Sequence, residues 1–275
     1  MDLVEDFALR LPAMVLADLL GMRHDDYRRF QPWVHTIALY FAIGSLGNPE
    51  TIGALRQTVQ QLADYMRNIV EEHRRNPQED LISSLLAFDQ QGETLSETEI
   101  LSQCMLLLHG GYESTMNTIS SGMFHILSRP EQHRWLMDNP ERASLAVEEA
   151  LRYEPAFQFV VRVATTDLEI GNQVIRGGQQ VFCVLGAANR DPEAFVDPDQ
   201  FDLQRQPNPH VGFGYGPHFC IGAILARMEA EIAFKSLLRR MHDLKLVSNV
   251  PAWRPAFGVR SLEKLPVTFS SVGPR

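Results

Sequence analysis

One long helical segment most constrains what this chain can fold into. Ser96-Glu97-Thr98-Glu99 is a capping box, in which a serine and a glutamate three residues later satisfy the free amides of a helix start. Apolar residues follow with helical spacing, at Ile100, Leu101, Cys104, Met105 and Leu108, and the pattern runs to Ser128, before Arg129-Pro130. Such a helix is roughly 45–50 Å long. We expect it to cross a whole domain.

Helices are predicted before this segment, and both helices and short strands after it. One further predicted helix starts near Asn48-Pro49 and ends at Asn76-Pro77. Three more are predicted at Leu81 to Phe88, Asn139 to Tyr153 and Ile221 to Arg240. Short strands are predicted between Phe157 and Leu185, with a hairpin at Gly171-Asn172. We therefore expect a mainly α fold with small β-sheets, in one domain spanning residues 1–275.

Composition narrows the class of protein. Hydrophobic residues make up 45% of the 275 residues and charged residues 21%, which is enough apolar sequence for a sizeable core. The net charge of −9 argues against a nucleic-acid binder, which would carry a basic stripe. The N-terminus begins with acidic residues and is interrupted by Asp18, which fits neither a signal peptide nor a membrane span. We expect no membrane association and a cytoplasmic location.

The three cysteines are far apart, which predicts no disulfide framework and fits a reducing compartment. Cys104 and Cys183 lie in apolar runs and are predicted to be small core residues. Cys220 is different, because it lies in the glycine-rich stretch FGYGPHFCIG, residues 213–222, at the start of a predicted helix. Free amides at a helix start lower the pKa of a thiol.

The chemistry of Cys220 leaves several alternatives open. A nucleophilic thiol needs a base, for which His218 is a neighbour in sequence. A zinc ligand needs three further ligands, and the sequence shows no second cluster. An axial thiolate on haem iron needs no other protein ligand. A buried structural cysteine is the remaining alternative.

The same stretch resembles the cysteine-ligand loop of the cytochrome P450 superfamily, bacterial soluble type, at Phe213, Gly216, His218, Cys220 and Gly222. The resemblance implies that haem b is the cofactor and that Cys220 is the proximal ligand of its iron. It also implies that His218 meets a haem propionate and that the other matched residues shape the cofactor site.

The long helix carries a second resemblance. Gly110 and Gly111 are adjacent inside it, at a cost of roughly 2 kcal/mol relative to alanine, so either a close-lying cofactor or tight helix packing should compensate. The family has a Gly-x-acid-alcohol segment over the haem, which Gly111, Glu113 and Ser114 resemble. The resemblance implies that both glycines lie near the cofactor and that Glu113 and Ser114 relay protons. Ser114 stands where threonine is usual and can donate back to the Gly110 carbonyl.

Glu149 and Arg152 stand one helical turn apart. Alone, this spacing suggests a surface ion pair. The family has a buried Glu-x-x-Arg pair that ties its helix to the segment before the cysteine loop, and Arg205 is our candidate for a third partner.

Other residues have weaker assignments. Arg162 corresponds to a propionate-binding arginine of the family or is a solvent-facing strand residue. Arg227 is a candidate for the surface where an acidic electron carrier docks. The candidate substrate-facing residues are Met105, His109, Phe157, Phe159, Val160 and Phe257.

The resemblance implies a haem-thiolate monooxygenase that inserts one oxygen atom of O2 into a small apolar substrate. Electrons would come from NAD(P)H through a reductase and a ferredoxin or flavodoxin. One alternative is a truncated haem-binding scaffold without turnover, and another is a thiol hydrolase using Cys220 and His218. The chain begins well inside the usual family sequence. We therefore expect the N-terminal part of the fold to be missing and haem to be held more weakly than in a full-length relative.

Overall fold

The computed structural model describes residues 1–43, 49–90, 92–256 and 258–273. Its α-helices are α1 Arg10–Leu19, α2 Tyr27–Ile43, α3 Pro49–Arg75, α4 Leu81–Leu86, α5 Glu97–Leu127, α6 Pro130–Asp138, α7 Ala143–Tyr153, α8 Leu185–Ala188 and α9 Ala223–Arg240. A π-helical turn covers Val4–Ala8, and 3-10 turns cover His24–Asp26, Pro140–Arg142 and Gly216–His218. Asn48, predicted to begin α3, lies outside the described residues. No described helix is long and apolar enough to cross a bilayer.

The strands are short. They are β1 Asp89–Gln90, β2 Glu93–Thr94, β3 Val160–Val163, β4 Leu168–Ile170, β5 Gln173–Ile175, β6 Gln180–Cys183, β7 Met241–His242, β8 Lys245–Leu246, β9 Ala252–Trp253, β10 Leu262–Lys264, β11 Val267–Thr268 and β12 Ser271–Val272. In the described residues they form antiparallel pairs: β1–β2, β3–β6, β4–β5, β7–β12, β8–β11 and β9–β10. The predicted hairpin is β4–β5, turning at Gly171 with φ +59°. The mainly helical fold class is confirmed.

Helix α5 is the long helix that the capping box predicts. Ser96 Oγ accepts a hydrogen bond from the amide of Glu99 at 3.3 Å, and the Glu99 carboxylate accepts one from the amide of Ser96 at 2.8 Å. Every residue from Thr115 to Ile126 is buried, because α1, α2, α3, α7 and α9 all pack on α5. A helix buried on all sides belongs to the centre of a core.

A glycine lets α7 and α9 come close to the centre of α5. A Cβ added to Gly122 would lie 2.5 Å from the Phe234 ring of α9 and 3.1 Å from Cβ of Ala150 of α7. The helix that follows the cysteine loop and the helix that carries Glu149 therefore rest on the same part of α5.

One cysteine prediction is confirmed and one is wrong. Cys104 is fully buried, and burial raises the pKa of its thiol to about 11. Cys183, the last residue of β6, is exposed. The β3–β6 pair has exposed residues on both faces, so the apolar run around Cys183 does not reach the core among the described residues.

Candidate functional site

The cysteine loop is folded by its own backbone. Gly214 and Gly216 have φ of +74° and +77°, in the left-handed region that glycine adopts without strain. The amide of Phe219 donates to the Gly216 carbonyl at 2.9 Å, and the amide of Cys220 donates to the Phe213 carbonyl at 3.0 Å. These turns bring Cys220 to the start of α9.

The Cys220 thiol is free and partly exposed. A Cβ added to Gly222 would lie 3.9 Å from Cys220 Sγ, an ordinary contact, so Gly222 lies beside the sulfur. Among the described residues, no group of three or more His, Cys, Asp and Glu could hold a metal ion. His218 is exposed and makes no hydrogen bond to Cys220. The geometry thus fits a thiolate that acts as the single protein ligand of a cofactor metal.

A buried ion pair anchors the segment before the loop. Arg152 is fully buried and donates from Nε and Nη2 to both carboxylate oxygens of Glu149, at 2.8 Å each. Its remaining donors reach the backbone carbonyls of Asn189, Pro198 and Gln200 at 2.8–2.9 Å. The pair is therefore an internal support, as the family resemblance implies, and the surface alternative is wrong. Arg205 Nε lies 3.3 Å from Glu149, which confirms it as the third partner.

A second ion-pair cluster, which the sequence did not indicate, lies beside the first. Glu148 of α7 accepts hydrogen bonds from Arg227 of α9 at 2.7 Å and 3.0 Å, and lies 2.9 Å from Nε2 of His210. Burial alone would raise the pKa of Glu148, but the hydrogen bonds from His210 and Arg227 hold it at about 2. The Arg227 guanidinium also lies over the Phe213 ring at 4.6 Å. The guanidinium is paired with Glu148 while its side chain remains 36% exposed, so the docking role of Arg227 stays a prediction.

The two adjacent glycines of α5 have different surroundings. A Cβ added to Gly111 would lie 3.1 Å from Cδ2 of Leu16 in α1, so helix packing accounts for this glycine. A Cβ added to Gly110 would meet nothing within 4 Å, and Gly110 is exposed. Only Gly110 therefore faces open space of the kind that a cofactor could approach.

The acid and the alcohol of α5 each have a partner. Ser114 Oγ donates to the Gly110 carbonyl at 2.7 Å, which confirms the predicted back-bond. Glu113 Oε1 lies 2.8 Å from Nδ1 of His35 in α2, and Nη1 of Arg254 lies 3.4 Å from the same nitrogen. His35 and Arg254 are far from Glu113 in sequence, and no motif indicated them.

The remaining predicted residues that the structure describes lie on α5 or on and just before β3, and their roles stay predictions. Met105 and His109 are half-buried, one turn apart on α5, and burial lowers the pKa of His109. The Phe159 ring packs on Phe182 at a centroid distance of 5.2 Å. Arg162 is exposed and donates to the Val161 carbonyl at 2.9 Å. Phe157 and Val160 are partly buried, and Phe257 lies outside the described residues.

A groove of about 1020 Å³ lies elsewhere, between α6, the second half of α9 and the β7–β8 segment. Leu136, Met137, Ile232, Lys235 and Arg239 are among the residues that line it. It shares no residue with the cysteine loop or with the Gly110–Ser114 segment. Its volume is therefore no guide to the site that carries the chemistry.

A lone, partly exposed cysteine, on a loop whose preceding segment is held by a buried Glu–Arg pair, has the arrangement expected of a single axial ligand to haem iron. Cys220, the left-handed glycines of its loop and the open face of Gly110 fit a flat cofactor. The chain belongs to the cytochrome P450 family, whose model, described as "Cytochrome P450", matches residues 22–143 and 142–248. The cofactor of this family is haem b.

Three comparisons show how close the relatives are. The chain is 42% identical over 269 residues to a "Biotin biosynthesis cytochrome P450" of Bacillus subtilis (strain 168), covering 98% of this chain and 67% of the relative. A crystal structure of P450BioI in complex with an acyl carrier protein ligated to hexadec-9Z-enoic acid has TM-score 0.92 and 41% identity, covering 98% of this chain and 69% of that one. Myxobacterial CYP267B1 in complex with myristic acid has TM-score 0.90 and 39% identity, with coverage of 98% and 66%. The chain thus spans about two thirds of the length of these relatives.

Proposed function

We propose that this chain carries the haem-thiolate site of a monooxygenase, which inserts one oxygen atom of O2 into an apolar organic substrate. The observation that carries the proposal is the free, partly exposed thiol of Cys220, on a loop whose preceding segment is tied to α7 by the Glu149–Arg152 pair. A thiolate ligand to haem iron favours cleavage of the O–O bond. The reaction class therefore follows from the ligand type.

In this proposal each loop residue has a structural task. Cys220 binds the iron through its sulfur, and Phe213, Gly216 and Gly222 shape the turn that presents it. His218 and Arg162 are both exposed cations or potential cations, suited to hold the two propionates of haem. Gly110 gives the cofactor access to bare helix backbone, and Gly111 keeps α5 close to α1.

Proton supply is assigned to Glu113, with Ser114 beside it. The Glu113 side chain is only 13% exposed, so it holds a carboxylate at the edge of solvent. The single hydroxyl hydrogen of Ser114 is donated to the Gly110 carbonyl, so this group can accept a hydrogen bond but must break its own to pass a proton on. We assign the main general-acid role to Glu113.

The relatives guide the choice of substrate and partner. One relative's structure holds a hexadecenoic acyl chain on an acyl carrier protein, and another holds myristic acid. We propose a fatty-acyl chain, free or carrier-linked, as the first substrate class to test. Electrons are proposed to come from NAD(P)H through a reductase and a ferredoxin or flavodoxin in the cytoplasm.

The deciding experiment is the ferrous–carbon monoxide spectrum of the haem-reconstituted chain. We expect a strongly red-shifted Soret band in the parent and its loss in Cys220→Ala. A variant spectrum identical to that of the parent would refute the proposed ligand. Product formation from myristic acid is then measured with a ferredoxin, its reductase and NAD(P)H.

Two other functions give different results. A haem-binding scaffold without turnover shows the red-shifted band but forms no product from any acyl substrate, free or carrier-linked. A thiol hydrolase is inactivated by iodoacetamide in the absence of haem. The lack of a hydrogen bond between Cys220 and His218 gives the hydrolase no support.

A further inference from the structure

We propose that His35 passes protons from solvent to Glu113. This inference rests on the proposed function, because it names the residue that supplies the proposed proton donor. His35 belongs to α2 and its side chain is 36% exposed, whereas the Glu113 side chain on α5 is 13% exposed. The two side chains meet at 2.8 Å, from Nδ1 of His35 to Oε1 of Glu113. His35 therefore forms a bridge between bulk water and the less accessible carboxylate.

The contact with Arg254 makes this bridge suitable for proton transfer. Nη1 of Arg254 lies 3.4 Å from the same Nδ1 atom that faces Glu113. When Nδ1 carries a proton it donates to the Glu113 carboxylate, and when Nδ1 has a lone pair it accepts from Arg254. Both protonation states of the nitrogen thus have a partner in place. Nδ1 therefore has a hydrogen-bond partner both before and after it gives its proton to Glu113.

A proton passes from solvent to the Glu113 carboxylate in two steps, through the imidazole of His35. A hydronium ion or a buffer acid protonates the neutral imidazole of His35, giving an imidazolium. The imidazolium loses its Nδ1 proton to Oε1 of Glu113, which becomes a carboxylic acid. The neutral ring then holds its proton on Nε2, and its Nδ1 lone pair accepts from Arg254. To start the next cycle the half-exposed ring rotates Nδ1 toward solvent, takes up a proton there and returns to Glu113. One proton enters from solvent and one reaches Glu113 in each cycle, and no redox partner is involved.

The other titratable groups around Glu113 are less suited to this task. Burial lowers the pKa of His109, against the opposing effect of the Glu113 charge, which disfavours its protonated form. Burial raises the pKa of Tyr112, so the phenol keeps its proton. The Arg254 guanidinium has hydrogen-bond donors only, so it cannot accept a proton from solvent and pass it on. Of these groups, His35 combines an imidazole that is 36% exposed with a direct contact to the Glu113 carboxylate.

The first test asks whether Nδ1 of His35 contacts both Glu113 and Arg254. It uses nitrogen-15 NMR of the histidine rings in the full chain at mildly alkaline pH. The His35 signals are assigned from their loss in His35→Gln. We expect Nδ1 of His35 to have the shift of a protonated nitrogen in the parent. In Glu113→Ala we expect it to have the shift of a lone-pair nitrogen, because only Arg254 then remains as a partner. An Nδ1 shift that is the same in both proteins overturns the proposal.

Proton supply itself is tested in the haem-reconstituted chain with its electron donors. We expect His35→Gln to lower kcat by about tenfold, with the substrate KM unchanged and a larger solvent deuterium isotope effect. High concentrations of acetate buffer should restore part of the rate, since a small acid can replace a shuttle but not a structural contact. His24→Gln is the matched control, because His24 also pairs with a carboxylate, that of Asp18 at 2.5 Å. Unchanged kcat and isotope effect in His35→Gln contradict the proposal.

The two levels of inference fail separately. If the parent shows no thiolate-type carbon monoxide spectrum or no product, the proposed function fails, and the NMR comparison still decides whether Nδ1 of His35 switches partners. If the parent turns over and His35→Gln behaves like the parent, the monooxygenase stands and the role of His35 is refuted.

Discussion

Replacing Arg152 by lysine tests whether the buried ion pair holds the segment before the cysteine loop. The guanidinium makes five hydrogen bonds, two to Glu149 and one each to the carbonyls of Asn189, Pro198 and Gln200. A lysine ammonium keeps the charge but has three donors, so at least two of the five hydrogen bonds are lost. Both Glu149 oxygens and the Gln200 carbonyl have other donors, so the carbonyls of Asn189 and Pro198 are the acceptors that depend on Arg152. Each buried acceptor left without a partner costs about 1–2 kcal/mol. We therefore expect Arg152→Lys to lower the free energy of unfolding by about 2–4 kcal/mol.

Urea denaturation of the full chain, followed by far-UV circular dichroism, measures this change. Arg142→Lys is the matched control, because Arg142 is exposed and its contact with Glu141 is long, at 3.8 Å. Exposed pairs of this kind contribute about 0–1 kcal/mol, so the control should stay close to the parent. The reasoning is refuted if Arg152→Lys is within about 0.5 kcal/mol of the parent, or if both variants lose the same stability.

Three further predictions follow from the helices. Gly110→Ala should stabilise the haem-free chain by about 1 kcal/mol in urea melts, because the added Cβ meets open space. Gly111→Ala should be less stable than Gly110→Ala by about 1 kcal/mol, because its added Cβ lies against Leu16. Burial raises the pKa of Glu229 to about 7. The free energy of unfolding of the parent should therefore fall as the pH rises from about 4.5 to 7, because the buried side chain must then ionise. Glu229→Gln removes this loss. That variant should gain about 2–3 kcal/mol relative to the parent at pH 8 and much less at pH 5, and an equal gain at both pH values contradicts the burial argument. Ser114→Ala should lower the yield of product per NAD(P)H less than Glu113→Gln does, since the Ser114 hydroxyl is bonded to Gly110; the opposite order excludes Glu113 as the main proton donor.

The elements that could be predicted are those specified by local sequence. The capping box at Ser96 and Glu99 and the apolar spacing after it act within one helix, so the pattern alone identifies α5. The β4–β5 hairpin follows in the same way from the turn at Gly171. Cys183 could not be placed correctly, because the apolar run around it does not reveal whether another layer covers the strand.

The site depends on contacts that no local pattern records. Glu113 and His35 are 78 residues apart, and His35 and Arg254 are 219 apart. The packing of α2 on α5 and the position of Arg254 just after β9 bring them together. Glu148 and Arg227 likewise meet because α7 and α9 share the face of α5 at Gly122. The glycine pair could be noticed in the sequence, but only the structure shows that Gly111 faces Leu16 and Gly110 faces open space.

The carbonyls bound by Arg152 also limit how this region can vary in length. Between Asn189 and Gln200 the chain has almost no regular secondary structure, yet three of its carbonyl oxygens are held by one guanidinium. The intervening stretch, residues 191–196, is held as well, because the buried Phe195 ring lies against the Arg152 guanidinium and Arg205 donates to the Val196 carbonyl at 2.6 Å. A shift of even one residue at Pro198 or Gln200 would exchange which oxygen points at the cation. An irregular segment can thus have a register as strict as that of a β-strand.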